Sequence, residues 1–182
     1  HNLNMAATLP KQSGTEGQVT VDFQGNVAIL TMDRGENRFN MNFMDAMHEA
    51  LDKVLSVPDV QVLVTTGKGK FFSNGLDLNY LSQRATQSDR QDYLEEFHGR
   101  LFRLLIRLVE FPLVTVAALN GHAYAAGAFL ALAHDYRVMN NERGWFCLNE
   151  VHIGLHISPF MQELTSNRLP SGRVYSEVIM FG

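Results

Sequence analysis

Several features are scarce in this chain of 182 residues, and each scarcity excludes a class of protein. The single cysteine, Cys147, rules out an internal disulfide and a multi-cysteine zinc site. No apolar run reaches the roughly 18 residues of a membrane span, so we expect no membrane association. Fifteen basic and nineteen acidic residues give a net charge of −4, without the basic clusters that nucleic acid requires.

The composition that remains is typical of a folded domain. Hydrophobic residues make up 46% of the chain, which is too much for a disordered protein. The length fits one domain of roughly 100–200 residues. Residues 1–17 are polar and lack any period, so we predict a flexible leader there and one domain over residues 18–182.

The hydrophobic patterns predict strands and helices in alternation. Residues 18–24 and 27–32 flank a Gly-Asn turn and predict a β-hairpin. Apolar residues at helical spacing, or in short continuous runs, predict the later elements. The predicted helices are 42–57, 90–110, 125–135, 159–167 and 171–180, and the predicted strands are 60–64, 113–119, 136–139 and 145–148. This order predicts an α/β fold whose strands are joined by crossover helices.

Common catalytic and metal-binding motifs are missing. The chain contains no dinucleotide-binding glycine fingerprint, no phosphate-binding loop and no hydrolase nucleophile elbow. His152 and His156 are four residues apart, but two histidines leave a metal site short of ligands. We therefore predict no metal site.

Two segments combine a preceding strand with small residues at a turn. They are residues 70–78 and 118–130. Such turns free backbone N–H groups to point outward, and the second segment leads into a helix whose N-terminus faces the same space. Two N–H donors from two strand ends would form an oxyanion hole. From composition alone, two simple glycine turns are the favoured interpretation.

These segments resemble motifs of the crotonase (enoyl-CoA hydratase/isomerase) superfamily. Phe-Ser-Asn-Gly-Leu-Asp-Leu at 72–78 resembles its Phe-Ser-Ala-Gly-x-Asp-Leu segment. Asn-Gly-His-Ala-Tyr-Ala-Ala-Gly-Ala-Phe-Leu-Ala-Leu-Ala-His-Asp at 120–135 resembles its triple-glycine segment, and Asn-Glu-Val with Ile-Gly-Leu at 149–155 resembles its Pro-Glu-x-x-x-Gly-Leu segment. All three occur in the family's order and spacing.

The resemblance implies a fold, a ligand and a set of site residues. The fold would be a spiral of ββα turns, and the substrate an acyl-coenzyme A thioester, without a cofactor. The backbone N–H groups of Leu76 and Ala126 would form the oxyanion hole, although Ala126 stands where the family has a glycine. Further residues would line the substrate site: Ser73, Asn74, Gly75, Asp77, Ala125, Gly127 and Phe129.

The acid–base positions point to one member of the superfamily. Hydratases of the family use two glutamates, whose positions match Phe129 and Glu150 here. One carboxylate suits the movement of a double bond better than the addition of water. The resemblance therefore implies a Δ3,Δ2-enoyl-CoA isomerase of fatty acid β-oxidation, with Glu150 as the acid and base. Burial in an apolar pocket should raise the pKa of Glu150.

Other interpretations stay open from the sequence. The chain could be another acyl-CoA enzyme of the superfamily, such as a hydratase or hydrolase, or a CoA-binding module without turnover. The family's homotrimers or hexamers are the expected assembly. The family's C-terminal helical segment is expected to be absent after residue 182. A eukaryotic source would place the protein in the peroxisome or the mitochondrial matrix, with the peroxisome favoured, and a bacterial source in the cytoplasm.

Side chains near these motifs also have simpler structural roles. We expect Asp77 to cap a turn or helix as well as lie near the substrate, and Trp145 to fill a strand face. His122, His152 and His156 could line the pocket or be structural. Lys68 and Lys70 could meet CoA phosphates, but a solvated loop is the simpler expectation.

Overall fold

The computed structural model describes residues 17–84, 90–151, 154, 156–170 and 172–180. The predicted leader therefore lies outside the described residues, except for Gly17. The strands are β1 Gln18–Gln24, β2 Val27–Asp33, β3 Val62–Gly67, β4 Phe71–Ser73, β5 Val114–Leu119, β6 His122–Tyr124, β7 Tyr136–Met139 and β8 Phe146–Cys147. The helices are α1 Met41–Leu55, α2 Leu78–Arg84, α3 Arg90–Val109, α4 Ala126–Leu132, α5 Pro159–Arg168 and α6 Arg173–Met180.

The strands form two sheets. The larger has the order β1-β2-β3-β5-β7 and is parallel except for the β1–β2 hairpin, and the smaller has the parallel order β4-β6-β8. The chain visits the two sheets in turn: β3 then β4, β5 then β6, β7 then β8, with helices after each pair. The predicted α/β fold and its spiral of ββα turns are confirmed.

Two strands of the smaller sheet, β4 and β6, were not predicted, because each is only three residues long. Segment 70–78 begins with β4, and the turn at 120–121 leads directly into β6. The crossings between the sheets are tight. A β-carbon on Gly67 would lie 2.5 Å from the Phe71 carbonyl oxygen, and one on Gly121 would lie 2.0 Å from that of Lys70. Both crossings therefore require glycine.

The prediction for Trp145 was wrong. The predicted strand 145–148 contracts to β8, and Trp145 lies just before it with a side chain that is 64% exposed. Its carbonyl oxygen accepts the Ala123 N–H at 2.9 Å, so the backbone follows β6 while the ring stays in solvent.

The core lies between the larger sheet and helices α1, α3 and α4. The predicted apolar faces of α1 and α3 are buried, and every residue of α4 is buried. Five phenylalanine side chains are completely enclosed: Phe39, Phe43, Phe72, Phe97 and Phe129. Of the described helices, none is both long and apolar enough to cross a membrane.

A buried histidine joins α4 to the larger sheet. His134 is completely buried, and its Nδ1 lies 2.8 Å from the Leu130 carbonyl oxygen, so Nδ1 carries the hydrogen and donates it. Its Nε2 then accepts the Thr65 hydroxyl hydrogen at 2.9 Å. Burial holds the pKa of His134 at about 4, below its usual 6.5, so the imidazole is neutral at pH 7.

This histidine predicts a loss of stability in acid. Because the folded protein has the lower pKa, only the unfolded chain takes up the proton as the pH falls below 6.5. The free energy of unfolding should therefore fall between pH 6.5 and 4, with about 3 kcal/mol from this group. Denaturant unfolding at several pH values measures this. His134→Gln should weaken the dependence of the free energy of unfolding on pH, and the exposed His98→Gln should not. An equal pH dependence for His134→Gln and the unaltered protein would contradict the assignment.

Candidate active site

A cavity of about 440 Å³ opens where the smaller sheet meets α3 and the start of α5. Leu76, Leu101, Phe102 and Met161 give it an apolar wall. Polar groups enter from the loop after β8 and from the turn between β6 and α4. A largely apolar cavity with a few convergent polar groups is typical of a small-molecule site.

The backbone N–H of Leu76 is directed into this cavity by its neighbours. The Phe39 N–H donates to the Gly75 carbonyl oxygen at 2.8 Å, and the Asp77 N–H donates to the Phe39 carbonyl oxygen at 2.9 Å. These bonds engage the Gly75 carbonyl and the Asp77 N–H, the backbone groups on either side of Leu76, in the pattern of two paired parallel strands. The Leu76 N–H therefore faces the other way and donates to no acceptor among the described residues.

The second donor begins helix α4. Ala126 is the first residue of that helix, so its N–H has no acceptor within the helix, and none among the other described residues. A β-carbon on Gly75 would lie 3.0 Å from the Ala125 methyl carbon and 3.5 Å from the Ala126 nitrogen. Glycine at position 75 thus lets the two N–H groups approach each other.

One buried residue of the loop after β2 supports the first donor. Asn37 is completely buried, and its Nδ2 donates to the Phe72 carbonyl oxygen at 3.0 Å while its Oδ1 accepts the Arg34 N–H at 2.9 Å. The Ser73 hydroxyl donates to the Asn37 carbonyl oxygen at 2.7 Å. These bonds fix β4, and with it the turn that carries Leu76.

Glu150 supplies a buried carboxylate to the same cavity. Its side chain is 7% exposed, and its Oε2 has no hydrogen-bond partner among the described residues. Burial raises the pKa of Glu150, and a hydrogen bond from its own backbone opposes this only in part. Among the described residues that line the cavity, Glu150 is the only acidic one. The expected direction of the pKa shift is confirmed.

Comparison with known proteins identifies the family. The model described as enoyl-CoA hydratase/isomerase matches residues 22–182. The chain belongs to this family. Its spiral is the crotonase fold: the crystal structure of an enoyl-CoA hydratase from Mycobacterium ulcerans superposes with a TM-score of 0.75 at 30% identity, covering 89% of this chain and 68% of that one.

Two curated relatives carry isomerase names. Peroxisomal enoyl-CoA delta isomerase 2 of Arabidopsis thaliana is 32% identical over 165 residues, which cover 90% of this chain and 69% of the relative. Enoyl-CoA delta isomerase 3 of the same plant is 34% identical over 168 residues, which cover 90% and 68%. The chain spans about two thirds of the length of these relatives.

Half of the predicted site residues line the cavity of this family member. Asn74, Leu76, Ala125, Ala126 and Glu150 do so, which brings the two N–H donors and the carboxylate to one space. These residues come from three separate motifs, and the spiral joins them.

The other five lie behind or beside the cavity wall. Ser73 is completely buried, and a β-carbon on Gly127 would lie 2.4 Å from the Ser73 carbonyl oxygen, so α4 packs directly on β4. Gly75 shapes the turn, and Phe129 is part of the core. Asp77 accepts the Tyr80 N–H at 3.0 Å at the start of α2, which confirms its predicted capping role. None of the five is among the described lining residues.

Several lining residues were missed by sequence reasoning. Leu101, Phe102 and His98 come from α3, and Met161 comes from α5. Leu101 belongs to the apolar face of α3. Helical spacing predicts that such a residue is buried, but it does not show which residues of the face border a cavity. His156 lines the cavity, whereas the Nδ1 of His122 lies 3.2 Å from the Tyr124 hydroxyl. His152 lies outside the described residues.

A second, polar cavity adjoins the first. It has a volume of about 830 Å³ and is lined by the loop after β2, including Arg34, and Arg38 lines both cavities. The lysines considered for phosphates line neither: Lys68 pairs with Asp33 at 2.8 Å, and Lys70 lies over the Phe71 ring. The described part of the chain contains no group of three or more potential metal ligands.

The turn before Ala126 is strained, which predicts an unusual substitution effect. Ala125 has φ 49° and ψ −121°, a conformation that glycine adopts at much lower cost. Ala125→Gly should therefore raise the free energy of unfolding by roughly 0.5–1 kcal/mol, after the added freedom of the unfolded chain is subtracted. Denaturant titration measures this. Ala46→Gly, inside α1, should cost about 1 kcal/mol, and a similar loss for Ala125→Gly would show that the turn stores no strain.

Proposed function

We propose that this chain is a Δ3,Δ2-enoyl-CoA isomerase, which converts 3-enoyl-CoA to trans-2-enoyl-CoA. The observation that carries the proposal is a buried carboxylate, the only one among the described residues of an apolar cavity, beside two backbone N–H groups that have no acceptor in the described part of the chain. The isomerase names of two relatives support the same reaction, as names of those proteins.

The proposed reaction moves one proton. Glu150 takes a proton from C2 of the 3-enoyl thioester, and the electron pair of that C–H bond moves into a dienolate. The negative charge develops on the thioester oxygen, where the N–H groups of Leu76 and Ala126 stabilise it. Glu150 then returns the proton to C4, which leaves the double bond between C2 and C3. Loss of one such donor raises the activation free energy by roughly 3–4 kcal/mol in comparable enzymes. The two N–H donors should therefore contribute as much to the reaction rate as the base does.

A hydratase is the second candidate, because relatives with hydratase names also match. Adding water requires activation of the water and protonation of the α-carbon, work that two carboxylates share in the hydratases of the family. Phe129 occupies the position of one of them and is enclosed in the core. The apolar wall of the cavity also favours a shuttle that excludes water.

The surroundings of the cavity support a CoA thioester as the substrate. Arg38 borders both the apolar cavity and the polar one, and would meet an anionic carrier where that carrier leaves the apolar cavity. The polar cavity also has three carboxylates in its lining, Asp33, Glu36 and Asp77, so the support for an anion comes from Arg34 and Arg38 alone. No cofactor enters the proposed mechanism. As further parts of the proposal, we place the reaction in fatty acid β-oxidation and expect a homotrimer or hexamer. The peroxisomal name of one relative supports a peroxisomal location.

Replacing the carboxylate tests the mechanism. Glu150→Gln keeps the shape of the side chain but removes the base, so kcat for 3-enoyl-CoA should fall by about 10²–10⁴-fold. The assay follows the appearance of the conjugated 2-enoyl thioester. The exposed Glu163→Gln on α5 is the matched control and should retain full activity. An unaltered rate for a folded Glu150→Gln would overturn the mechanism, and a wild-type chain that binds CoA without turnover would favour a binding module.

A further inference from the structure

Two consecutive residues of the cavity lining each carry a buried acceptor atom. Asn149 Oδ1 and Glu150 Oε2 are both shielded from solvent and have no hydrogen-bond partner among the described residues. Both residues line the same cavity. Buried polar atoms without a partner are rare in folded proteins, and functional sites are one place where they persist.

Neither acceptor can satisfy the other while Glu150 is ionised. A carboxylate only accepts hydrogen bonds, and the Asn149 amide oxygen also only accepts. Once Glu150 holds a proton, its carboxyl group becomes a donor and the amide oxygen can accept from it. In the proposed reaction, Glu150 holds a proton once in every turnover.

We propose that Asn149 is a positioning residue whose amide oxygen favours the protonated form of Glu150 by accepting its carboxyl hydrogen. This inference rests on the proposed isomerase function. It gives Asn149 a role in setting the strength of the base, because a carboxylate whose acid form is favoured removes a proton from carbon more readily.

Other titratable groups line the cavity with Glu150 or interact with it electrostatically. They are Arg38 from the loop after β2, His98 from α3, Tyr124 from β6, Cys147 from β8 and His156 before α5. Two are committed elsewhere: Arg38 pairs with Glu36 at 2.6 Å, and the Tyr124 hydroxyl lies 3.2 Å from His122 Nδ1. The variants below leave all five unchanged, so their contribution is constant across the comparison.

The pH dependence of kcat/KM tests the proposal. Proton removal requires ionised Glu150, so the midpoint of the acid limb reports the pKa of Glu150 in the free enzyme. Asn149→Leu removes the acceptor and should move this midpoint about one unit toward lower pH, a roughly tenfold loss of proton affinity. We also expect kcat to fall several-fold while KM stays unchanged, because Asn149 acts through Glu150.

Matched variants separate this role from a structural one. Asn149→Ala should shift the limb in the same direction and keeps the test valid if the leucine variant does not fold. Asn141→Leu, at an exposed position, should leave the limb in place. A folded Asn149→Leu or Asn149→Ala whose limb is unmoved, or moves to higher pH, overturns the inference. A shift to higher pH would mean that Asn149 helps to solvate the carboxylate.

Failure of this inference is distinguishable from failure of the proposed function. If Glu150→Gln retains full isomerase activity, the proposed mechanism fails. If Glu150→Gln is inactive while both Asn149 variants keep the wild-type limb, only the role of Asn149 fails.

Discussion

The close approach of Gly75 to the start of α4 is the constraint on which the site depends. A β-carbon at position 75 would lie 3.0 Å from the Ala125 methyl carbon, a tight contact, and one at position 127 would lie 2.4 Å from the Ser73 carbonyl oxygen, which leaves it no room. These contacts press the β4 turn against the β6–α4 turn, so two N–H groups from distant parts of the sequence share one space. The buried Asn37 and the paired bonds of Phe39 then fix the direction of the first donor.

Burial gives this arrangement its chemical character. The donors belong to the backbone and carry no full charge, so an apolar wall surrounds them at a lower cost than it would a charged group. The only acidic group among the described lining residues is Glu150, and the same apolar surroundings raise its pKa toward the range where a carboxyl group both takes and returns a proton. Phe129 is enclosed in the core, and the motif resemblance matches its position to a second glutamate of the hydratases.

The sequence predicts the long elements and the chemical groups better than the walls of the site. The stripes of α1 and α3 and the alternation in β1 span enough residues to establish a period, whereas β4 and β6 have three residues each and show none. Glu150, Leu76 and Ala126 were located through local motifs. Phe102, Met161 and Arg38 were not, because their place on the cavity wall depends on how helices and loops pack. Trp145 was misassigned, because an apolar residue beside a short strand need not share its burial.

The central claim is that one carboxylate with two N–H donors makes a site for moving a double bond rather than for adding water. Its most direct test is to offer the same preparation of the protein 3-enoyl-CoA and trans-2-enoyl-CoA of equal chain length, and to measure isomerisation and hydration separately. We expect isomerisation to be faster by at least about tenfold, since Glu150 is the only acidic group among the described lining residues. Hydration at an equal or greater rate would contradict it.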